Sequence, residues 1–219
     1  MNADNELQQS VLDELRDEPS VEASQIGIAV EGGVVSLTGS VGTYAEKLLA
    51  EDTVKRVFGV RAVANDITVK LRDEHGRSDP ELAKAAVDAL RWHSMVPDER
   101  IQVTVDKGWL TLEGAVDWKY QKDAAEQAVR HLTGVRAVTN AIRIKPHKPI
   151  RVGELKHQIF DAFRRNAELD ARRIGIDAKD GKVILHGNVR NWNEVREAQR
   201  AAWSAPGVAD VENRLVVVP

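Results

Sequence analysis

The sequence predicts an α+β protein built from three tandem copies of one small α-β-β-α-β sandwich. The stretch GVRAV occurs twice, and a looser copy, GVADV, lies near the C-terminus, at residues 59–63, 134–138 and 207–211. Three segments align without a gap from an isoleucine, at Ile26, Ile101 and Ile174. The period of roughly 75 residues is too long for a solenoid unit and suits a very small domain. We therefore expect repeats 1, 2 and 3 to span residues 4–71, 79–145 and 151–218.

Each repeat opens with a predicted one-sided helix. Its apolar residues recur at i, i+4, i+5 and i+8, which is the spacing of a single buried face. The stripe comprises Leu7, Val11, Leu12 and Leu15, then Leu82, Ala86, Val87 and Leu90, then Leu155, Ile159, Phe160 and Phe163. Asp79 followed by Pro80 predicts a helix N-cap with a proline at the first helical position, and Asp4 aligns with Asp79.

A β-hairpin is predicted next. In repeat 1, Ile26, Ile28 and Val30 alternate with small or polar residues, which indicates a strand with one buried face. The returning strand of each hairpin repeats this alternation. Glycine readily adopts a positive φ, and glycine-containing turns are predicted at residues 31–33, 106–108 and 179–181.

A second helix and a third strand complete each repeat. Thr43 with Glu46, and Asn191 with Glu194, match the capping-box pattern at aligned positions. Left-handed caps are predicted to end the three helices at Gly59, Gly134 and Gly207. The last strands are predicted over residues 62–71, 137–145 and 211–218. Three strands then form one mixed sheet, with both helices on one of its faces.

The frame that recurs in each repeat resembles that of the BON domain family. It reads VSLTGSV then GVRAVAN, LTLEGAV then GVRAVTN, and VILHGNV then GVADVEN. The resemblance covers nearly the whole chain and implies an α/β sandwich, a bacterial origin and no catalytic motif. It also implies a binding role at phospholipid membranes or the cell envelope, linked to osmotic or other stress. The family includes potassium-binding and chaperone-like proteins.

Composition restricts the class of protein further. The net charge of −3 argues against a surface devoted to nucleic acid, although repeat 1 is acidic, repeat 2 near neutral and repeat 3 basic. The absence of cysteine excludes disulfides and thiolate sites. The start lacks the features of a secretory signal, and no apolar run reaches about 18 residues. If Met1 is the natural start, we expect a cytoplasmic protein; a trimmed sequence would leave a periplasmic location open.

Catalytic and metal-binding patterns are missing from the sequence. The six histidines do not recur at aligned positions, and no pair has the spacing of a triad or a ligand set. Asp73, Glu74, His75 and Asp79 cluster between repeats 1 and 2, but their spacing matches no known cation-binding loop. We therefore expect no enzymatic activity, no metal site and no cofactor.

Repeat 3 carries the strongest candidate binding residues. They are basic and aromatic: Arg164, Arg165, Arg172, Arg173, Trp192 and Trp203. Basic groups attract anionic lipid headgroups, and tryptophan prefers the membrane–water interface. The alternative interpretation is that the arginines solvate a helix end and the indoles cover neighbouring repeats.

A second aromatic patch is predicted in repeat 2 from Trp92, Trp109 and Trp118. Trp109 falls on the strand face opposite the core, which suggests contact with a neighbouring repeat, a protein partner or lipid through an open sheet face. Aromatic residues and arginines on an open sheet also suit RNA, but no RNP-like pattern occurs, so we do not expect nucleic-acid binding.

These observations give two hypotheses for function. The first is a non-enzymatic stress or envelope protein that binds anionic phospholipid through repeat 3, with Trp109 and Trp118 contributing. The alternative is a soluble, potassium-like ion sensor or a holdase-like osmotic stress protein.

Overall fold

A computed structural model of the chain describes residues 3–71, 77–145, 152–165 and 172–218. It confirms three repeated α+β units, each with two helices and a mixed sheet. The helices are α1 (Ala3–Asp17), α2 (Tyr44–Arg56), α3 (Asp79–Trp92), α4 (Lys119–Arg130), α5 (Val152–Arg165) and α6 (Trp192–Trp203). The strands are β1 (Ile26–Glu31), β2 (Val34–Val41), β3 (Ala62–Asn65), β4 (Thr68–Val69), β5 (Ile101–Asp106), β6 (Trp109–Val116), β7 (Ala137–Ile144), β8 (Ile174–Lys179), β9 (Lys182–Val189) and β10 (Asp210–Val217).

The returning strand of the hairpin is the central strand of every sheet. In repeat 1, β1 and β2 are antiparallel, with Ile28 opposite Leu37, whereas β2 and β3 are parallel. Repeat 3 has the same arrangement, with β8 antiparallel and β10 parallel to β9. The strand order in repeat 2 is β5-β6-β7. The second helix of a repeat therefore connects the central strand to its neighbour, as the sequence predicted.

The last strand of repeat 1 is interrupted, which the sequence did not predict. The side-chain oxygen of Asn65 accepts a hydrogen bond from the backbone N–H of Ile67 at 3.2 Å. The equivalent bonds of Asn140 and Asn213 occur within the continuous strands β7 and β10, so this bond does not by itself separate β3 from β4. Ile67 is 1 % exposed, as is its counterpart Ile142 in the continuous strand β7, so the core position is kept despite the break.

The prediction of Asp79 as the N-cap of α3 was wrong. Ser78 is the N-cap, and its backbone N–H donates to Glu81 at 3.0 Å in a capping box. The Asp79 carboxylate instead accepts hydrogen bonds from the hairpin turn between β5 and β6. Asp4 contacts the turn of repeat 1 in the same way. Because the first helix runs antiparallel to the first strand, its N-terminus lies beside that turn.

The second helices begin as predicted but end earlier. Backbone N–H groups of Glu46 and Glu194 donate to the side chains of Thr43 and Asn191, at 3.1 and 3.0 Å. At the other end, α2 stops at Arg56 because the next residue, Val57, is already extended with ψ 129°. Gly59 has the predicted positive φ of 94°, but it belongs to the turn that leads to β3 and is not the helix cap.

The glycine of the V-x-L-x-G frame is required for steric reasons in all three repeats. A Cβ atom on Gly39, Gly114 or Gly187 would lie 2.1 Å from the carbonyl oxygen of the residue before the first strand. Their φ angles are +112°, +143° and +123°. Only glycine permits both the close approach and this backbone conformation.

The cores lie between the helices and the sheets. In repeat 3 the cluster includes Leu155, Ile159, Phe163, Val183 and Leu185, all 1 % exposed or less. In repeat 1 it includes Val11, Leu15, Val35, Leu37 and Val54, all completely buried. These are residues that the helical and strand periodicities predicted.

The chain divides into two compact units. One holds residues 1–116 and 120–143, hence repeat 1 and most of repeat 2; the other holds residues 117–119 and 144–219. Within the ranges that the structure describes, no helix is sufficiently long and apolar to cross a membrane.

Candidate functional site

The predicted arginines of repeat 3 lie at one end of that repeat. Lys156, near the start of α5, lies 3.3 Å from Asp177 in the second half of β8, so α5 runs antiparallel to β8. The end of α5 and the beginning of β8 therefore meet at the same end. Arg164 and Arg165 close α5 and are exposed. Arg172 and Arg173, just before β8, are also exposed. We call these four residues the arginine end.

Strand register brings further elements to the arginine end. Ile174 pairs with Gly187, so the end of β9 lies beside the beginning of β8. The connection to α6 starts here with Arg190, whose guanidinium forms an ion pair with Glu194. Glu194 is 5 % exposed and its carboxylate also accepts from the Arg190 backbone N–H at 3.0 Å. These two contacts between Arg190 and Glu194 stabilise the start of α6.

Phe160 adds an apolar surface that the sequence periodicity placed in the core. It is 41 % exposed, whereas Phe163 is fully buried. The two residues differ by three positions, and only one side of α5 faces the sheet. Since residues four apart lie on the same helix face, Phe160 lies one turn before Arg164. The sequence pattern placed this ring in the core because apolar residues at i, i+4, i+5 and i+8 cover a wider arc of the helix than the arc that packs against the sheet.

Trp192 and Trp203 are half-buried rather than fully exposed. Both pack against the core of repeat 3. In the same compact unit, the ammonium of Lys119 lies 5.7 Å from the centroid of the Trp203 ring, within the range of a cation–π interaction. These indoles therefore stabilise the protein as well as offering surface.

Trp109 and Trp118 do not form one patch. Trp109 opens β6 and Trp118 follows its end, so about 25–30 Å of strand separates them. Trp109 is 55 % exposed and its indole nitrogen donates to the Thr139 hydroxyl at 2.8 Å. Trp118 is 43 % exposed. Trp92, the third member of the predicted patch, is 86 % exposed at the end of α3.

The other end of the repeat 3 sheet has paired charges. Lys182, at the start of β9, lies 2.7 Å from Glu212 and 3.6 Å from Asp210. The hydrogen bond that the Lys182 ammonium donates to the Glu212 carboxylate raises the pKa of Lys182 and lowers the pKa of Glu212. The cationic charge of Lys182 is thus offset locally by two carboxylates.

Repeats 1 and 2 meet at a cleft of about 500 Å³. Gly42, Thr43, Ala45 and Glu46, around the start of α2, line one wall, and residues 130–135, at and after the end of α4, line the other. Tyr44 lies at this joint. Burial raises the pKa of its phenol, and this outweighs the lowering caused by a hydrogen bond from the Val138 backbone and by the nearby Arg130.

No group of three or more histidine or acidic side chains that could hold a metal ion occurs among the residues with described positions. Asp73, Glu74 and His75, from the acidic cluster noted in the sequence, lie outside those residues.

Comparison with known proteins identifies the repeats. The model of the BON domain family matches residues 3–70, 78–146 and 152–219. Osmotically-inducible protein Y of Escherichia coli (strain K12) is 27 % identical over 135 residues, which cover 60 % of this chain and 67 % of that protein.

Two solved structures from secretion systems show weaker likenesses. CdsD, a structural protein of the type III secretion system of Chlamydia trachomatis, is 13 % identical over 98 % of this chain and 93 % of that one, with a TM-score of 0.28. The periplasmic domain of the inner membrane protein PrgH from S. typhimurium is 11 % identical over 94 % and 99 %, with a TM-score of 0.23. TM-scores this low do not establish a shared fold.

Proposed function

The chain belongs to the BON domain family, and we propose that it is a non-enzymatic bacterial stress or envelope protein that binds anionic phospholipid surfaces through its arginine end. The relationship to an osmotically inducible protein supports a role in osmotic stress. The convergence of four exposed arginines at one end of repeat 3 is the observation that carries the lipid proposal.

The energetics of the arginine end suit a reversible surface contact. Each basic residue near an anionic membrane contributes about 1 kcal/mol, so four contribute about 4 kcal/mol, close to a thousandfold in affinity. Phe160 adds a half-exposed ring one turn from Arg164, where it can enter the headgroup region. Binding of this kind weakens as salt screens the charges.

Sedimentation with liposomes tests the proposal directly. The wild-type chain is mixed with vesicles of neutral lipid or of lipid containing a phosphatidylglycerol fraction, at low and at moderate salt. We expect binding to the anionic vesicles alone, and weaker binding at the higher salt. Equal binding to both lipids, or no binding to either, would overturn the proposal.

Matched charge reversals identify the surface. Arg164→Glu with Arg165→Glu should weaken binding by at least about 30-fold, because two attractions become repulsions. Arg196→Glu with Arg200→Glu changes the net charge equally on exposed positions of α6 in the same repeat. This control should bind within about threefold of wild type. Equal loss in both variants would mean that net charge alone, and not the arginine end, governs binding.

A further inference from the structure

The cleft between repeats 1 and 2 carries opposite charges on its two walls. It has a volume of about 500 Å³ and lies within a single compact unit. Glu22 and Glu46 line the wall of repeat 1, whereas Arg130 and His131 line the wall of repeat 2. Among the residues that the structure describes, no ion pair joins the two walls. A molecule that carries both charges can therefore complement both walls at once.

The acidic wall is held in place by backbone hydrogen bonds. The Glu46 carboxylate accepts from the N–H of Glu22 at 2.9 Å on one oxygen, and from the N–H of Gly42 at 3.1 Å on the other. An ionised carboxylate has about four lone-pair sites, so each oxygen can accept a further bond. Glu22 is exposed beside it. Two carboxylates on one wall suit an ammonium group, which has three N–H donors.

The basic wall presents an oriented guanidinium. Arg130 is half-buried at the end of α4, and its Nε donates to Nε2 of the neighbouring His131 at 3.0 Å. This bond fixes the plane of the guanidinium. Within the described part of the chain, no group accepts a hydrogen bond from its two terminal nitrogens. Two terminal nitrogens form the planar fork that binds a carboxylate through two parallel hydrogen bonds.

Apolar side chains line much of the remaining surface of the cleft. They are those of Ala45, Leu71, Leu132 and Val135. Ligand sites of about 300–1,000 Å³ are typically apolar, with a few charged groups that fix the orientation of the ligand. A molecule that suits this cleft therefore has an ammonium group, a carboxylate and an apolar body. Short peptides with apolar side chains have this chemistry.

We propose that the cleft between repeats 1 and 2 binds a small zwitterion with an apolar body, of the size and chemistry of a dipeptide. Glu22 and Glu46 hold the ammonium group, and the terminal nitrogens of Arg130 hold the carboxylate. His131 is a positioning residue, since it acts on the ligand only through Arg130. The site lies in repeats 1 and 2, so its test does not depend on lipid binding by the arginine end.

Isothermal titration calorimetry of the full chain tests the site with leucyl-leucine and two blocked forms of it. Acetylation of the N-terminus removes the ammonium group, and amidation of the C-terminus removes the carboxylate. We expect saturable binding of leucyl-leucine, and binding at least about tenfold weaker for either blocked form, because each loses a hydrogen-bonded charge pair. Equal affinity for the three compounds, or no binding of leucyl-leucine up to its solubility limit, would overturn the proposal.

Two variants assign the ends of the ligand to the walls. Arg130→Gln should weaken binding of leucyl-leucine at least about tenfold and leave binding of the amide within about threefold of wild type, since the amide has no carboxylate to lose. Glu22→Gln should weaken leucyl-leucine but not its acetylated form. Arg143→Gln, at an exposed cation of β7 outside the cleft, should retain the wild-type pattern.

Circular dichroism establishes that each variant remains folded. The comparison of free and blocked compounds within one variant does not depend on its stability. An equal loss for all three compounds in a folded Arg130→Gln variant would contradict the assigned contact with the carboxylate.

Discussion

The carboxylate of Asp79 lies 2.7 Å from the backbone nitrogen of Lys107. It also accepts from the backbone N–H of Gly108 at 3.0 Å, so one side chain at the start of α3 holds the whole turn between β5 and β6. Lys107 has φ 51°, a left-handed conformation that costs a non-glycine residue about 1–2 kcal/mol. The aspartate compensates for this strain by satisfying both turn donors.

Replacing Asp79 with alanine should destabilise repeat 2 by about 2 kcal/mol, because two charge-assisted hydrogen bonds are lost from a strained turn. Urea unfolding followed by tryptophan fluorescence measures this, since Trp109 directly follows the turn. Asp88→Ala, on the same helix but away from the turn, is the control. A similar loss in both variants would show that the turn contacts contribute nothing beyond helix charge.

Gly39→Ala should destabilise repeat 1 by about 3 kcal/mol or more. The new Cβ would lie 2.1 Å from the Gln25 carbonyl oxygen, at a φ of +112° that alanine rarely adopts. Gly42→Ala is a matched control three residues away, because its nearest neighbour would be 3.9 Å distant and its φ is not positive. Circular dichroism during thermal unfolding should separate the two variants clearly; equal midpoints would contradict the steric argument.

Asn140→Ala should cost repeat 2 about 2 kcal/mol, since this side chain links the third strand to the second helix. Its amide nitrogen donates to the Lys122 carbonyl at 2.8 Å and to Glu126 at 3.1 Å, and its oxygen accepts from the Ile142 N–H at 3.3 Å. Hydrogen exchange of α4 should report the loss.

Asn213→Ala is the comparison for this prediction. Asn213 accepts from the Leu215 N–H at 2.9 Å, but the helix position that corresponds to Glu126, whose carboxylate accepts from Asn140, is Gln199. We expect a smaller loss in repeat 3. If Asn213→Ala were as destabilising as Asn140→Ala, the turn bond alone would explain the asparagine.

Stability at acid pH should depend on Glu51. Burial favours the neutral acid, but hydrogen bonds from Lys55 and Asn65 outweigh it and lower the pKa of this carboxyl below 4.5. The folded state therefore favours the ionised form. Its contribution is complete above the unfolded pKa and is lost as pH falls below about 4.5 through the lowered value.

Urea midpoints between about pH 5 and pH 3 measure this dependence for wild type and Glu51→Gln. The wild-type chain should lose more stability on acidification than the variant. Glu6→Gln, at an exposed carboxyl of the same repeat, should retain the wild-type response. Parallel curves for wild type and Glu51→Gln would contradict the assigned cause.

The sequence alone predicted the repeat and most of its local structure. Aligned glycines, alternating strands and one-sided helices are short-range patterns. The backbone has the positive φ angles that these patterns predict at Gly39 and in the β5–β6 turn. The arginines of repeat 3 were also visible, because charge is a property of composition. What short-range patterns do not contain is the partner of a side chain that is distant in sequence. For this reason Asp79 was interpreted as a cap for its own helix, although it binds a turn 28 residues away.

The tertiary structure decided which of these side chains are exposed and which of them lie close together. Packing of α5 on its sheet buries Phe163 and leaves Phe160 exposed, although both fit the same stripe. The length of β6 separates Trp109 from Trp118, which composition had grouped together. The antiparallel course of α5 and β8 brings Arg164 and Arg173 to one end. The periodicity of a helix or strand specifies which side is apolar, but the distance between two such elements, and the fraction of each side that is covered, depend on how they pack.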